Sequence, residues 1–176
     1  MQPISCSRQS QHSPSRHSGD GMIEGEIMIY HYTIARHAAS ILRDGVIRPA
    51  TAFIPKGERP IVWFSANPTW EASAQKAGLV SRDETERQLG PLYRFGVSPK
   101  TAPYNFERLV FLAQMDPRIA VLLKSQGIEV GANPDEWFGT FRPVERERWL
   151  SVEELVSGVW SASMMTPKGY DRATID

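Results

Sequence analysis

The segment Tyr30-His31-Tyr32-Thr33 sets an imidazole and a hydroxyl two residues apart in an otherwise apolar run. Side chains alternate along an extended chain, so His31 and Thr33 share one face while Tyr30 and Tyr32 share the other. One face must belong to a core, and the other is available to form a site. Imidazole suits such a site because it can donate, accept and titrate near neutral pH, although a strand histidine more often serves packing than catalysis. A second apolar run, Ile61-Val62-Trp63-Phe64-Ser65, also ends on a hydroxyl. Trp63 and Phe64 either fill core or wall a flat heterocycle. The chain has no phosphate-binding Walker loop, no G-x-G-x-x-G, no His-Glu-x-x-His and no nucleophile elbow, which removes most familiar chemistries.

The run YHYTIARHAASILRDGVIRP resembles the opening motif of the ADP-ribosyltransferase-like superfamily. There a His-x-Thr strand precedes a helix ending in Ile-Leu-x-x-Gly, here His31, Thr33, Ile41, Leu42 and Gly45. Residues 61–65 resemble the superfamily's next site strand, where an aromatic or hydroxyl residue faces nicotinamide. The resemblance implies an α+β fold with a split, mostly antiparallel β-sheet and flanking helices. It also implies NAD as co-substrate and transfer of ADP-ribose to a macromolecular acceptor as the nicotinamide glycosidic bond breaks. A flat nicotinamide needs aromatic walls and a ribose needs hydrogen-bonding partners, which His31, Tyr32, Thr33, Phe64 and Ser65 would supply. Arg48 and Arg36, near the first motif, are the choices for the pyrophosphate, because a guanidinium can pair bidentately with it.

The superfamily's third element is a glutamate at or just before a late strand, and Pro134-Asp135-Glu136-Trp137-Phe138-Gly139 has that character. Glu136 is accordingly paired with His31 as catalytic. The resemblance implies that this carboxylate holds the ribose 2′-hydroxyl and stabilises positive charge developing at C1′, an electrostatic form of catalysis. Asp135, Glu145 and Glu147 are competing acids. The alternating charges of Val144-Glu145-Arg146-Glu147-Arg148-Trp149 read as a solvated face.

The acceptor, nucleic-acid base or protein, stays open, with the likeness nearest the branch that modifies nucleic-acid bases. The central motif is Trp-Phe-Ser rather than Ser-Thr-Ser, and the chosen acid stands in Pro134-Asp135-Glu136 rather than in Gln-x-Glu or Glu-x-Glu, which argues against arginine as acceptor. Two alternatives remain. One is a non-catalytic nucleotide- or partner-binding domain of the same fold. The other, RNA 2′-phosphotransfer, needs several arginines and a second histidine around a phosphate, which the second strand does not offer.

Positioning these residues requires a strand over 27–33 and a helix that buries Ile34, Ala38, Ile41 and Leu42 and stops at Gly45. Strands are expected at 46–49, 61–65, 92–98, 137–142 and 148–152, with 153–160 extending the sheet. Helices are expected over 106–114, with Phe106, Leu109, Val110 and Ala113 inward, and from Asp116-Pro117 through Lys124, closed by Gly127. The stretch 67–76 reads as a loop running into a short helix, and 67–90 otherwise carries no legible pattern. About six strands and three helices without regular alternation predict the α+β class.

The 176 residues, 41% hydrophobic, suffice for one domain, placed at 26–160 between a disordered leader at 1–25 and a flexible tail at 161–176. Twenty basic and twenty acidic residues cancel, so any nucleic-acid contact must be local rather than drawn by a global field. The single cysteine, Cys6, rules out an internal disulfide and a cysteine-rich metal site and suits a reducing compartment. With no apolar run long enough to span a bilayer, no membrane partner and a cytoplasmic location are expected.

Overall fold

The computed structural model describes residues 27–52, 54–74 and 81–164. The leader at 1–25 and the tail beyond 164 lie outside the described residues. The first strand forms as β1, Ile29–Ile34, and runs directly into helix α1, Ala35–Asp44. Ala38 and Leu42 are buried on its inner face, as the apolar spacing predicts. Gly45 ends the helix at φ 71°, and its N–H donates to the carbonyl of Ile41 at 2.8 Å. A left-handed cap of this kind suits glycine because a Cβ would clash there.

The remaining strands are β2 (Val46–Ile47), β3 (Val62–Ser65), β4 (Leu92–Val97), β5 (Tyr104–Asn105), β6 (Trp137–Thr140), β7 (Val144–Glu145), β8 (Trp149–Val156) and β9 (Val159–Ala162). Helices α2 (Arg82–Leu89), α3 (Phe106–Ala113) and α4 (Pro117–Glu129) complete the described elements, with short 3-10 turns such as 72–74. The class is α+β. Seven strands form one sheet in the order β5-β6-β3-β1-β4-β8-β9, every pairing antiparallel, while β2 and β7 make a separate ribbon.

The central strand β1 is held unevenly. Against β4 it forms six residue pairs, from Ile29↔Val97 to Ile34↔Leu92. Against β3 it has one, Tyr30↔Ser65, and the backbone ladder stops there.

Strand alternation divides the interior into two layers. On the His31 face, Ile29, Phe64, Phe95 and Val152 pack with Ala38 and Leu42 of α1 and with Ile47, Val144 and Trp149. On the opposite face, α3 and α4 bury Phe106, Leu109 and Ala120 with Trp137. The other half of that face gathers Ile34, Leu92 and Leu155 beneath Trp70, Leu89 and Trp160.

Four expectations need correction. Helix α2 was not anticipated, yet Ser81 caps it by accepting from the N–H of Glu84 at 3.1 Å, a Ser-x-x-Glu signature present in the sequence. Gly127 does not close α4. It lies buried inside the helix, where an added Cβ would come within 2.4 Å of the Trp137 ring, so it serves a close approach. Strand β9 continues to Ala162 and Ser163 is buried, beyond the expected end of the domain at 160. Finally, Arg146 is not part of a solvated charge ladder: its guanidinium donates to the Leu42 carbonyl at the C-terminus of α1 and lies 5.6 Å from the Trp149 ring centre. There a cation satisfies an orphan carbonyl and the helix dipole together.

Candidate functional site

Where the β1–β3 ladder stops, a side chain takes over. The Nδ1–H of His31 donates to the carbonyl of Trp63 at 2.9 Å, which assigns the acceptor role in a neutral ring to Nε2. The ring stands 5.8 Å from that of Phe64 on the same sheet face. Tyr32, on the opposite face, is wedged edge-on against Trp70 at 5.3 Å and tilted against Trp160 at 5.6 Å. Its hydroxyl donates to the backbone carbonyl of Asn67. Burial raises its pKa well above the ordinary tyrosine value and outweighs the opposing effect of nearby Arg94, so the phenol stays neutral and donates.

The loop after β3 is folded back onto this face by its own polar groups. Asn67 Oδ1 accepts from the N–H groups of Thr69 and Trp70 at 2.9 and 3.3 Å, an Asx-type turn. This brings Glu71 over the end of β3. The Ser65 hydroxyl donates to Glu71 Oε2 at 2.7 Å and accepts from the Asn67 N–H at 3.1 Å. Glu71 Oε1 accepts from the Ser73 hydroxyl at 2.6 Å and the Ser73 N–H at 3.0 Å. Glu71 is thus a buried carboxylate, 7% exposed, that accepts three hydrogen bonds. A carboxylate has about four acceptor positions, so it retains capacity for a further donor.

Beside it opens a cavity of about 240 Å³. Its walls come from β1 (Tyr30, His31, Tyr32), β3 (Val62, Trp63, Phe64, Ser65), the loop and turn (Glu71, Ser73, Ala74), the segment after β2 (Arg48, Ala50), Ile61, Leu123 of α4 and Trp137 of β6. The indole N–H of Trp137 is buried with no hydrogen-bond partner among the described residues. Five residues anticipated at the site, His31, Tyr32, Phe64, Ser65 and Arg48, therefore share one cavity, with Arg48 exposed at its rim.

Three others are not brought in. Thr33 is buried and does not line the cavity. Arg36 is exposed on α1, where its Nε donates to His37 Nε2 at 3.0 Å; the first turn of the helix faces it away. Glu136 is also absent from the walls, although its carbonyl accepts from the Ala66 N–H at 2.8 Å. Its Oε1 accepts from Asn133 at 3.3 Å, and its Oε2 is buried with no partner among the described residues. The acid in the cavity wall is instead Glu71. The signal for it was weak: a lone Glu after Trp70, in a loop without periodicity.

Arg94 was missed for a different reason, since a charge in an apolar strand reads as an edge position. It is buried, pairs with Glu153, donates to the Pro68 carbonyl and stacks 4.2 Å over Tyr30 and 4.6 Å over Trp160. Trp160 also donates to the Thr69 carbonyl at 2.7 Å, so the β8–β9 hairpin and Arg94 together clamp the loop that carries Glu71. Among the described residues no three His, Cys, Asp or Glu side chains are grouped to hold a metal ion, and no helix is long and apolar enough to cross a membrane. No protein-family model, curated protein or solved structure matches the chain.

Proposed function

We propose that the chain is an NAD-dependent ADP-ribosyltransferase whose cavity between β1, β3 and the Glu71 loop receives the nicotinamide-ribose end of NAD. The observation that carries this reading is the convergence of two sequence motifs, thirty residues apart, on one cavity that also holds a buried carboxylate. The cavity, about 240 Å³, is smaller than a pocket for a whole drug-sized ligand and fits one flat heterocycle with part of a sugar. Tyr32, Trp63 and Phe64 supply aromatic wall, and Arg48, exposed at the rim, is the candidate for the pyrophosphate. Positive charge developing at C1′ is best met by a fixed anion in a water-poor site. We assign that role to Glu71, with Ser65 and Ser73 as the residues that orient it, in place of Glu136.

Incubation of the chain with NAD tests the reading. Nicotinamide release, or labelling of DNA, RNA or protein, is expected, and Glu71→Gln should lower the rate by about 100-fold or more, the usual cost of losing one preorganised electrostatic group. If Glu136→Gln produces that loss and Glu71→Gln does not, the acid assignment is reversed. Absence of release and labelling, together with NAD binding that His31→Ala leaves unchanged, sinks the proposal.

One observation favours a second reading, a nucleotide-binding domain without turnover: both Glu71 oxygens are already hydrogen-bonded. That reading predicts NAD binding with no nicotinamide release in the wild type.

A further inference from the structure

Helix α4 is apolar on two sides. One buries Ala120 and Gly127 and packs Leu123 against the cluster around Trp137. The other carries Val121, Leu122, Ser125 and Ile128, whose spacings of three and four residues keep them on one exposed face. Val121 is 70% exposed, Leu122 49% and Ile128 55%. With Ile119 these make α4 the element that exposes the most large apolar side chains among the described residues. A single exposed Leu or Val is ordinary, whereas a row along a helix marks a contact surface. Residues 1–26 hold few large apolar side chains, Met1, Ile4, Met22 and Ile23, too few to cover that row.

The charges at the two ends of this face are the wrong way round for the helix that carries them. Arg118 lies in the first turn, at the positive end of the helix dipole, and Glu129 is the last residue, at the negative end. Asp116, the N-cap, offsets Arg118 by accepting from its Nε and one terminal nitrogen at 3.2 and 2.8 Å, which leaves the other terminal nitrogen available. Glu129 is exposed and has no ion pair among the described residues. An antiparallel neighbour of the same sequence reverses both signs: Arg118 meets a negative helix end and Glu129 a positive one. The register that sets Arg118 opposite Glu129 of a second copy also sets Leu122 opposite Ser125 and Ile119 opposite Ile128. Leu122 then has a small residue facing it, and the Ser125 hydroxyl already donates to the Leu122 carbonyl at 3.0 Å, so covering it strands no donor.

We propose that this face pairs with a second copy of the chain, α4 against α4 in antiparallel register about a two-fold axis, with Leu122 at the crossing and an Arg118–Glu129 pair at each end. Such an interface is isologous, so every contact occurs twice. Leu122 also lines the second cleft, with Ile119 and Gln126, so the second copy borders that cleft. The inference does not rest on the nucleotide reading. Helix α4 has 13 residues, a length of about 20 Å. Two such helices bury an area at the low end of specific interfaces, which corresponds to a weak dimer with a dissociation constant on the order of 10 µM.

Sedimentation velocity on the full chain, from about 1 to about 300 µM, should show mostly monomer at the bottom of that range and mostly dimer at the top. Leu122→Glu should weaken association at least tenfold, since the buried charge enters the interface twice. Arg118→Glu and Glu129→Arg should each weaken it about fivefold, the effect of losing two exposed ion pairs. An equimolar mixture of those two variants should associate as the wild type does, because each then supplies the charge that the other lacks. Thermal denaturation of each variant at low concentration reports that the monomer stays folded. A wild type that remains monomeric at about 300 µM overturns the proposal, as it would if another molecule covered the face. A dimer indifferent to Leu122→Glu removes α4 from the interface. Absence of rescue on mixing removes the antiparallel register, because only that arrangement brings residue 118 of one copy to residue 129 of the other.

Discussion

His31 carries two duties that a substitution can separate. Its bond to the Trp63 carbonyl replaces a missing ladder bond between β1 and β3, and His31 is also among the residues that line the cavity. His31→Asn keeps a donor near that carbonyl and should preserve more stability than His31→Ala, while both impair NAD binding; paired denaturation and binding titrations read the difference. Tyr32 and Tyr93 make a pH prediction. Burial raises both phenols, Tyr93 to about 12 with Glu154 adding to the effect. A folded pKa above the unfolded value near 10 means the native state holds its protons longer. The stabilisation is therefore fully present below about pH 10 and is lost as pH rises towards 12. Urea unfolding followed across that window should show a falling midpoint, with a shallower fall in Tyr93→Phe.

The helices show how local rules and packing divide the work. Gly127→Ala improves intrinsic helix propensity by about 1 kcal/mol, yet the new Cβ would lie 2.4 Å from Trp137. The ring is buried, so overpacking of about 1–3 kcal/mol should win and the variant should be destabilised. Thermal denaturation checks the sign. Gly45 and α1 were legible because a period-3.6 apolar face and a left-handed cap are local facts. Gly127 was misread for the same reason: glycine reads as a stop unless the ring it accommodates, ten residues away, is known. Helix α2 was missed because it lacks the apolar face that reveals a helix, although Ser81 and Glu84 carry its capping signature.

Across the molecule, the site depends on a clamp far from it in sequence. Arg94 ties the sheet to the Pro68 carbonyl and to Glu153, and Trp160 of the last hairpin holds Thr69. Arg94→Met removes the cation and leaves Glu153 without its partner. A largely buried pair broken on one side costs about 3 kcal/mol, and the pair is screened somewhat because the Glu153 side chain keeps 20% of its exposure. Lower stability in urea, accompanied by protease sensitivity within 66–74, is the expected result; cleavage elsewhere first would remove Arg94 from this role.

The amino-acid order alone sufficed for the α+β class and for β1, α1, β3, β4, α3 and the late strands, which rest on short-range periodicity and caps that neighbours in the chain encode. The grouping of His31, Tyr32, Phe64 and Ser65 was what the resemblance implied, because periodicity does not join strands thirty residues apart. Folding decided which acid lines the cavity, and that Glu136, Arg36 and Thr33 stay out of it. Each of these depends on where a loop returns or on strand order in the sheet. The turn at Asn67 brings Glu71 over Ser65 through hydrogen bonds between residues with no pattern in common. The His31 strand thus lines the cavity, while the acid in its wall comes from the loop that showed no pattern.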